Sequence, residues 1–235
     1  MPFGASRAGL MSVAADDIPD SENLHAHYDL QQQPESDSET IDVLVDQSGN
    51  ENDADAVGSP TMDIDGYNGK PTAVLDGIGD GFDVEPADFD TISQPLTWYF
   101  VLDYQDDESD RTRLSDNRRD GESVQLQWEG GEGWRASVNS LFPIIGDLFD
   151  SETDWLTVVF DGADSHIESQ SESDTGSIDS EDVDMNAFPI AHRNDSGSTD
   201  GFIELNISEI LVYDAGHDTE TRDGVIDYIE NRWGI

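Results

Sequence analysis

The sequence predicts an all-β protein: two antiparallel sheets packed as a sandwich, one short C-terminal helix, and an extended N-terminal arm. Three observations predict it. Short apolar runs with β-branched or alternating character recur from Leu24 to Tyr213, separated by Gly, Asn, Asp and Ser clusters. No alternation of strand and helix patterns is present, which sets parallel α/β folds aside. Only one segment, Thr219–Arg232, carries apolar residues at helical spacing.

The elements follow in order. Residues 1–22 are rich in Gly, Ser and Ala, then acidic, with Pro2 and Pro19 and no sustained period, so they read as an arm; residues 23–235 read as one domain. Leu24–Leu30 is a first strand. Ile41–Asp46 alternates Ile41, Val43 and Val45. Thr72–Asp76 is short and apolar. Leu96–Asp103 is a continuous aromatic and β-branched run, the pattern of a strand buried on both faces. Ser123–Trp128 and Trp134–Asn139 flank the Gly-rich stretch Glu129–Gly133 and read as a hairpin. Trp155–Asp161 and Ala187–His192 are further strands. Phe202–Tyr213 alternates through Ile203, Leu205 and Ile207, then shifts phase to Ile210 and Val212, as at a bulge or bend. Gln105–Glu122 and Gly162–Asp184 are acidic and Ser/Gly-rich, so they read as long loops or as hairpins with solvated tips. Asp218 is an N-cap for the helix, whose inner face is Val225, Ile226, Ile229 and Trp233.

Charge excludes several functions. The 235 residues carry 54 Asp and Glu against 10 Lys and Arg, a formal charge of -44, with Lys70 the single lysine. Such a surface repels nucleic-acid phosphates and anionic membranes alike, so neither is expected as a partner. No run reaches the length of a membrane-spanning helix, and the N-terminus has no convincing export signal. With no Cys, disulfides, thiolate catalysis and zinc–cysteine sites are all absent. An Asp-rich, Lys-depleted surface over an ordinary apolar fraction of 35% is the composition of a protein that works in molar salt, rather than of a disordered chain.

Three sequence pieces belong together. The first is Asp46-Gln-Ser-Gly-Asn-Glu-Asn-Asp-Ala54. The second is Asn68-Gly-Lys-Pro-Thr-Ala-Val-Leu-Asp-Gly77 with Gly79-Asp-Gly81. The third is Ile207-Ser-Glu-Ile-Leu-Val-Tyr-Asp214 with the closing Tyr228-Ile-Glu-Asn-Arg-Trp-Gly234. From Glu22 to Ile235 the chain resembles the concanavalin A-like lectin/glucanase superfamily, and more closely its LamG-like jelly-roll domains. Leu75 stands where that pattern commonly has an aromatic residue, and His27 where it has Trp. The resemblance implies two curved antiparallel sheets face to face, and relatives that bind Ca²⁺ or sugars. Glu209, in an otherwise apolar strand, needs partners if buried, and backbone N–H groups of a neighbouring turn are the expected ones.

The glucanase branch of the superfamily hydrolyses glycosides with an E-x-D-x-x-E strand, and no such spacing is present here. Glu152/Asp154 and Glu181/Asp184 are the nearest approaches. With 54 carboxylates, acidic pairs arise by chance. Trp128 and Trp134 are candidates to stack on a sugar ring; the alternative is that both fill the hairpin core. Asp76, Asp80 and Asp83, and also Asp161 with Asp164, offer hard oxygen ligands for Ca²⁺; the alternative is a set of solvated acids. His25 and His27, two apart on one strand, share a face that can bind a metal or simply pack. In the arm, Phe3, Arg7 and Leu10 suit docking on another polypeptide. The reading that follows is a non-enzymatic virion structural protein of a haloarchaeal tailed virus, a head turret, decoration or tail-fibre subunit. It would be anchored by the arm to other copies of itself or other virion proteins, present a lectin-like domain to a host surface glycan, and be located on the particle surface. The alternatives are a secreted haloarchaeal carbohydrate-binding module and a glycoside hydrolase.

Overall fold

The computed structural model describes residues 18–84, 89, 91–105, 111–119, 122–130, 133–138, 145–148, 152–178, 184–195 and 198–235. β1 (Leu24–Asp29), β2 (Val43–Leu44), β3 (Ala54–Val57), β4 (Thr61–Asp63), β5 (Thr72–Asp76), β6 (Gly81–Val84) and β7 (Ile92–Ser93) precede the long β8 (Leu96–Gln105). β9 (Arg111–Arg119), β10 (Glu122–Glu129), β11 (Gly133–Val138), β12 (Ile145–Leu148) and β13 (Glu152–Phe160) follow. β14 (Ser165–Ser169), β15 (Ser173–Gly176), β16 (Asp184–Met185), β17 (Phe188–Ile190), β18 (Arg193–Asp195), β19 (Ser198–Asp200) and β20 (Glu204–Tyr213) lead into the helix α1 (Thr219–Trp233).

An eight-stranded sheet runs β15-β14-β13-β8-β20-β5-β4, with β1 also paired to β20. A six-stranded sheet runs β12-β11-β10-β9-β18-β19, and a four-stranded one β17-β6-β3-β2. Pairing is antiparallel except for β9 with β18, which run parallel. Fold class and terminal helix are therefore as the sequence predicts.

Two cores lie on the two faces of the eight-stranded sheet. Trp98, Phe100 and Leu102 of β8 point into the larger one, against Val124, Leu126 and Trp128 of the six-stranded sheet and Phe82 and Phe188 of the four-stranded sheet. The intervening Tyr99 and Val101 point the other way, where Val225, Ile229 and Trp233 of α1 cover them. This period of two explains the continuous apolar run of β8: both faces are buried.

The phase shift in β20 is a real irregularity. Its register against β8 slips between Ile207 and Glu209. Leu205 and Ile207 face the larger core, and so do Ile210 and Val212. One extra residue, Ser208, changes the parity between them. As a result Glu209 stands on the face under α1, beside Leu211 and Tyr213.

The two acidic stretches contain strands. Gln105–Glu122 holds β9, and Gly162–Asp184 holds β14 and β15, a hairpin in which Ser165 pairs with Gly176. Arg111–Arg119 carries no strand signal of its own in sequence, where the stretch reads as a loop or a hairpin, because Leu114 is its one large apolar residue. Its other face is polar, and its pairing with β10 supplies the order. Residues 18–20, near the end of the expected arm, pack on the domain. Ile18 enters the second core, and the Tyr213 hydroxyl donates to the Pro19 carbonyl at 3.0 Å.

Candidate functional site

The three sequence pieces that carry the family resemblance converge on one structural joint. Asp46 holds β1 from the side: its Oδ1 accepts the backbone N–H groups of His27 and Ser48, each at 2.9 Å. Its Oδ2 accepts the Ser48 hydroxyl at 2.7 Å and the Asn52 N–H at 3.0 Å. Gly49 supplies the left-handed turn between them, with φ 93°. Asn52 Nδ2 returns to the His25 carbonyl at 2.7 Å. The NGKP piece caps α1. Lys70 Nζ donates to the Arg232 carbonyl, and Asn68 Nδ2 to the Trp233 carbonyl at 3.4 Å. A cation on the last carbonyls of a helix complements its dipole.

Glu209 lies at the centre of the joint, with no exposed surface. Its Oε1 accepts from His27 Nε2 at 2.7 Å and from the Tyr228 hydroxyl at 2.9 Å. Its Oε2 accepts from the Trp233 indole at 2.6 Å, with Arg232 Nε 3.7 Å away. The partners are thus side chains of β1 and α1, not turn N–H groups. Burial alone would raise the Glu209 pKa; the bonds from His27 and Trp233, with the charge of Arg232, outweigh it and hold the carboxyl below its ordinary range. Arg232 also pairs with the buried Asp29. Burial opposes the Arg232 charge, yet Asp29 and Glu209 raise its pKa.

His27, Asp29 and Glu209 are the group with metal-binding potential among the described residues, their ligand atoms lying within 4.8 Å of one another. The Arg232 guanidinium already supplies the positive charge those carboxylates need, so the donor set fits an ion-pair network better than a metal site. His25 does not join it. The register of β1 slips between Leu24 and Ala26, and the His25 ring packs edge-on to Phe89, 4.6 Å between centroids. The expectation that the two histidines share a face is corrected by this bulge.

Asp76, Asp80 and Asp83 form no ligand cluster of this kind. Asp76 Oδ1 accepts the N–H groups of Ile78 at 2.8 Å and Gly79 at 3.0 Å, and these bonds lower its pKa. Asp80 Oδ1 accepts the Ser59 N–H at 2.7 Å. Asp83 is buried in β6 and accepts from Asn194 Nδ2 at 2.9 Å, with His192 Nε2 3.2 Å away. Two are turn-holding acids, and the third belongs to a buried polar contact between β6 and β18.

Trp128 and Trp134 are both 0% exposed. They sit opposite each other in the β10–β11 ladder and meet edge to face at 5.5 Å, with Tyr104 against both. Trp134 Nε1 donates to Thr153 Oγ1 at 3.0 Å. Neither ring offers a face to a sugar, so their assignment as ligand-stacking residues is corrected: the hairpin turns them into the larger core. Phe3, Arg7 and Leu10 lie outside the described residues.

The opposite face of that hairpin is polar. Gln125, Gln127 and Glu129 alternate with the core residues of β10. Gln125 stands between Asp116 and Ser137, and Gln127 between Arg113 and Arg135. Arg113 and Asp116 are three apart on β9, a spacing that places residues on opposite faces of a regular strand. A register slip opposite Leu126–Gln127 leaves Leu114 as an extra residue and brings the pair onto one face, Arg113 Nε to Asp116 Oδ2 at 2.9 Å. Arg135 Nη1 donates to Glu129 Oε2 at 2.9 Å, and Gln127 Nε2 reaches the same oxygen at 3.3 Å. Gln127 Oε1 is buried without a hydrogen-bond partner. This array of planar donors and acceptors is the candidate site. The sequence reading missed it because it followed the tryptophans, and the alternate residues of the same strands carry it.

No protein-family model matches the sequence, and no curated protein matches it. Solved structures do match in fold. Domain 4 of AbnA, a GH43 extracellular arabinanase from Geobacillus stearothermophilus solved with arabinotriose, superposes with a TM-score of 0.60 at 15% identity, over 86% of this chain and 98% of that one. A mutant of Trypanosoma rangeli sialidase displaying trans-sialidase activity gives 0.59 at 10% identity, over 91% of this chain and 34% of that one. A GH54 α-L-arabinofuranosidase gives 0.57 at 13% identity, over 81% of this chain and 50% of that one. The fold is one found in carbohydrate-active proteins. The chain spans about a third of the sialidase and half of the arabinofuranosidase. The expectation of a non-enzymatic protein is thereby corrected: these three matching structures are a sialidase, a domain of an arabinanase and an arabinofuranosidase.

Proposed function

We propose that this chain is a glycan-recognising β-sandwich domain of a glycoside-hydrolase type of protein, concanavalin A-like in class, with the polar face of β9, β10 and β11 as its sugar-binding surface. The observation that carries the reading is that face itself. Gln127, buried between Arg113 and Arg135, keeps an unpartnered acceptor, and sugar hydroxyls are donors that such an oxygen needs. The likeness to an arabinanase domain over nearly its whole length, solved with a trisaccharide, supports it.

The test is calorimetry in molar KCl against a panel of oligosaccharides, arabinotriose included. Saturable binding that Gln127→Ala weakens is the expected result. A folded protein that binds nothing in the panel overturns the reading. Release of reducing sugar from the same panel checks for hydrolysis, which needs two carboxyl groups about 5–9.5 Å apart across the bond to be cleaved.

A further inference from the structure

The cations of this chain are unevenly placed. Of its ten, Arg111, Arg113, Arg118 and Arg119 lie on β9, Arg135 on β11 and Arg193 on β18, all strands of the six-stranded sheet. The same six strands carry six acids, so this sheet is formally neutral, while the rest of the chain has forty-eight acids and four cations. A chain that has almost abandoned lysine thus keeps most of its arginine on one sheet.

We infer that the polar face of this sheet recognises an anionic glycan, one whose sugars carry carboxylate or sulfate groups, with Arg135 and Arg113 as the residues that select for the charge. The inference rests on the glycan-binding reading above and names its substrate class. The chemistry follows from the solvent as much as from the residues. A surface of charge -44 repels an anion everywhere except where cations are grouped. In molar salt the Debye length is about 3 Å, so a diffuse positive field does not help and only contact counts. Guanidinium provides that contact: its planar fork meets a carboxylate or sulfate with two parallel hydrogen bonds. Arg135 and Arg113 flank Gln127, whose unpartnered Oε1 can accept a hydroxyl of the same sugar. Each arginine is held in place by an acid on its own sheet, Glu129 for Arg135 and Asp116 for Arg113, so the donors are ordered before ligand arrives.

Ion pairing within the sheet is the competing role for these arginines, and the experiment separates the two. The full chain in 2 M KCl is titrated with trigalacturonate, a sulfated trisaccharide and neutral arabinotriose, and Arg135→Gln is titrated alongside. Arg135 is the better probe, because its pair with Glu129 is partly exposed while Asp116 would be left buried without Arg113. The expected result is preference for at least one anionic sugar over arabinotriose, with the preference falling about tenfold in Arg135→Gln, as for loss of one charge-assisted hydrogen bond. The carboxylate and sulfate arms identify which group is read. Equal or tighter binding of arabinotriose, or a preference unchanged in a folded Arg135→Gln, overturns the inference and leaves the glycan reading standing. Binding of none of the three, with none in the wider panel, removes the glycan reading and the inference with it. Should Arg135→Gln not fold, Arg135→Lys keeps the charge, loses the fork, and is expected to lower the same preference.

Discussion

Trp233 donates its indole N–H to Glu209 Oε2 at 2.6 Å, and this bond ties the last turn of α1 to the central strand of the large sheet. Around it, Lys70 Nζ lies 5.4 Å from the Trp233 ring centre and reaches the helix end. One buried carboxylate therefore joins β1, β20 and α1. Glu209→Ala should destabilise the fold by about 3–5 kcal/mol, because it leaves the His27 ring, the Tyr228 hydroxyl and the Trp233 indole N–H without their acceptor and Asp29 alone to balance Arg232. Urea unfolding measures this, and a variant as stable as the parent would show that the joint adds nothing.

The same carboxylate sets an acid limit. Its folded pKa lies below the ordinary glutamate value of 4.5, so it contributes stability that is fully present above that value. The contribution is lost as pH falls below 4.5 toward the depressed folded pKa. Melting temperature followed from pH 7 downward should drop in that window, and Glu209→Gln should show a shallower drop. Parallel curves would assign acid unfolding to other groups.

Asp46 should act as a hub. It accepts four hydrogen bonds, from His27, Ser48 twice and Asn52, and orders the loop that buttresses β1. Asp46→Ala removes all four acceptors at once and is expected to cost about 2–4 kcal/mol, more than a single neutral bond. Asp37, exposed and outside this network, serves as the control, and its Ala variant should melt with the parent. Equal melting of Asp46→Ala and the parent would refute the hub.

Salt dependence follows from composition. At -44 with ten cations, self-repulsion weakens the folded state wherever screening is poor. Dialysis below about 0.1 M salt, where the Debye length exceeds ~10 Å and like charges repel over longer distances, should lower the melting temperature or abolish near-UV CD. An unchanged melting temperature between dilute buffer and molar KCl would exclude a salt-adapted fold.

Much of this fold is legible in the sequence where a strand is apolar. β8, β10, β11, β13 and β20 announce themselves because each turns large residues toward a core, and α1 because Asp218 caps it and four apolar residues line one side. β9 does not, because its order comes from ladder bonds and the face it turns away from the larger core carries Arg113 and Asp116, a buried ion pair. The candidate site shares that illegibility. A polar residue on a strand looks the same in sequence whether it faces bulk water or a buried polar cluster, and only the pairing register shows that Gln127 lies between two arginines. Trp128 and Trp134 misled for the converse reason: aromatic residues beside a glycine turn fit a sugar platform and a hairpin core equally well.

The parity change in β20 makes the sharpest test of how sequence sets this fold. Ser208 is buried and its hydroxyl has no partner, so its side chain contributes little. Ser208→Ala should be neutral or slightly stabilising, since it removes a buried polar group that makes no bond. Deleting Ser208 is the informative partner experiment. It removes the bulge and leaves strict alternation, in which Glu209 follows Ile207 directly and so stays on the face under α1, while Ile210 and Val212 keep the larger core. The deletion variant should therefore fold with native near-UV CD, and Ser208→Ala should melt at or above the parent temperature. A deletion variant that does not fold would show that the bulge does more than set the parity between Ile207 and Glu209, and the account of β20 given above would fail.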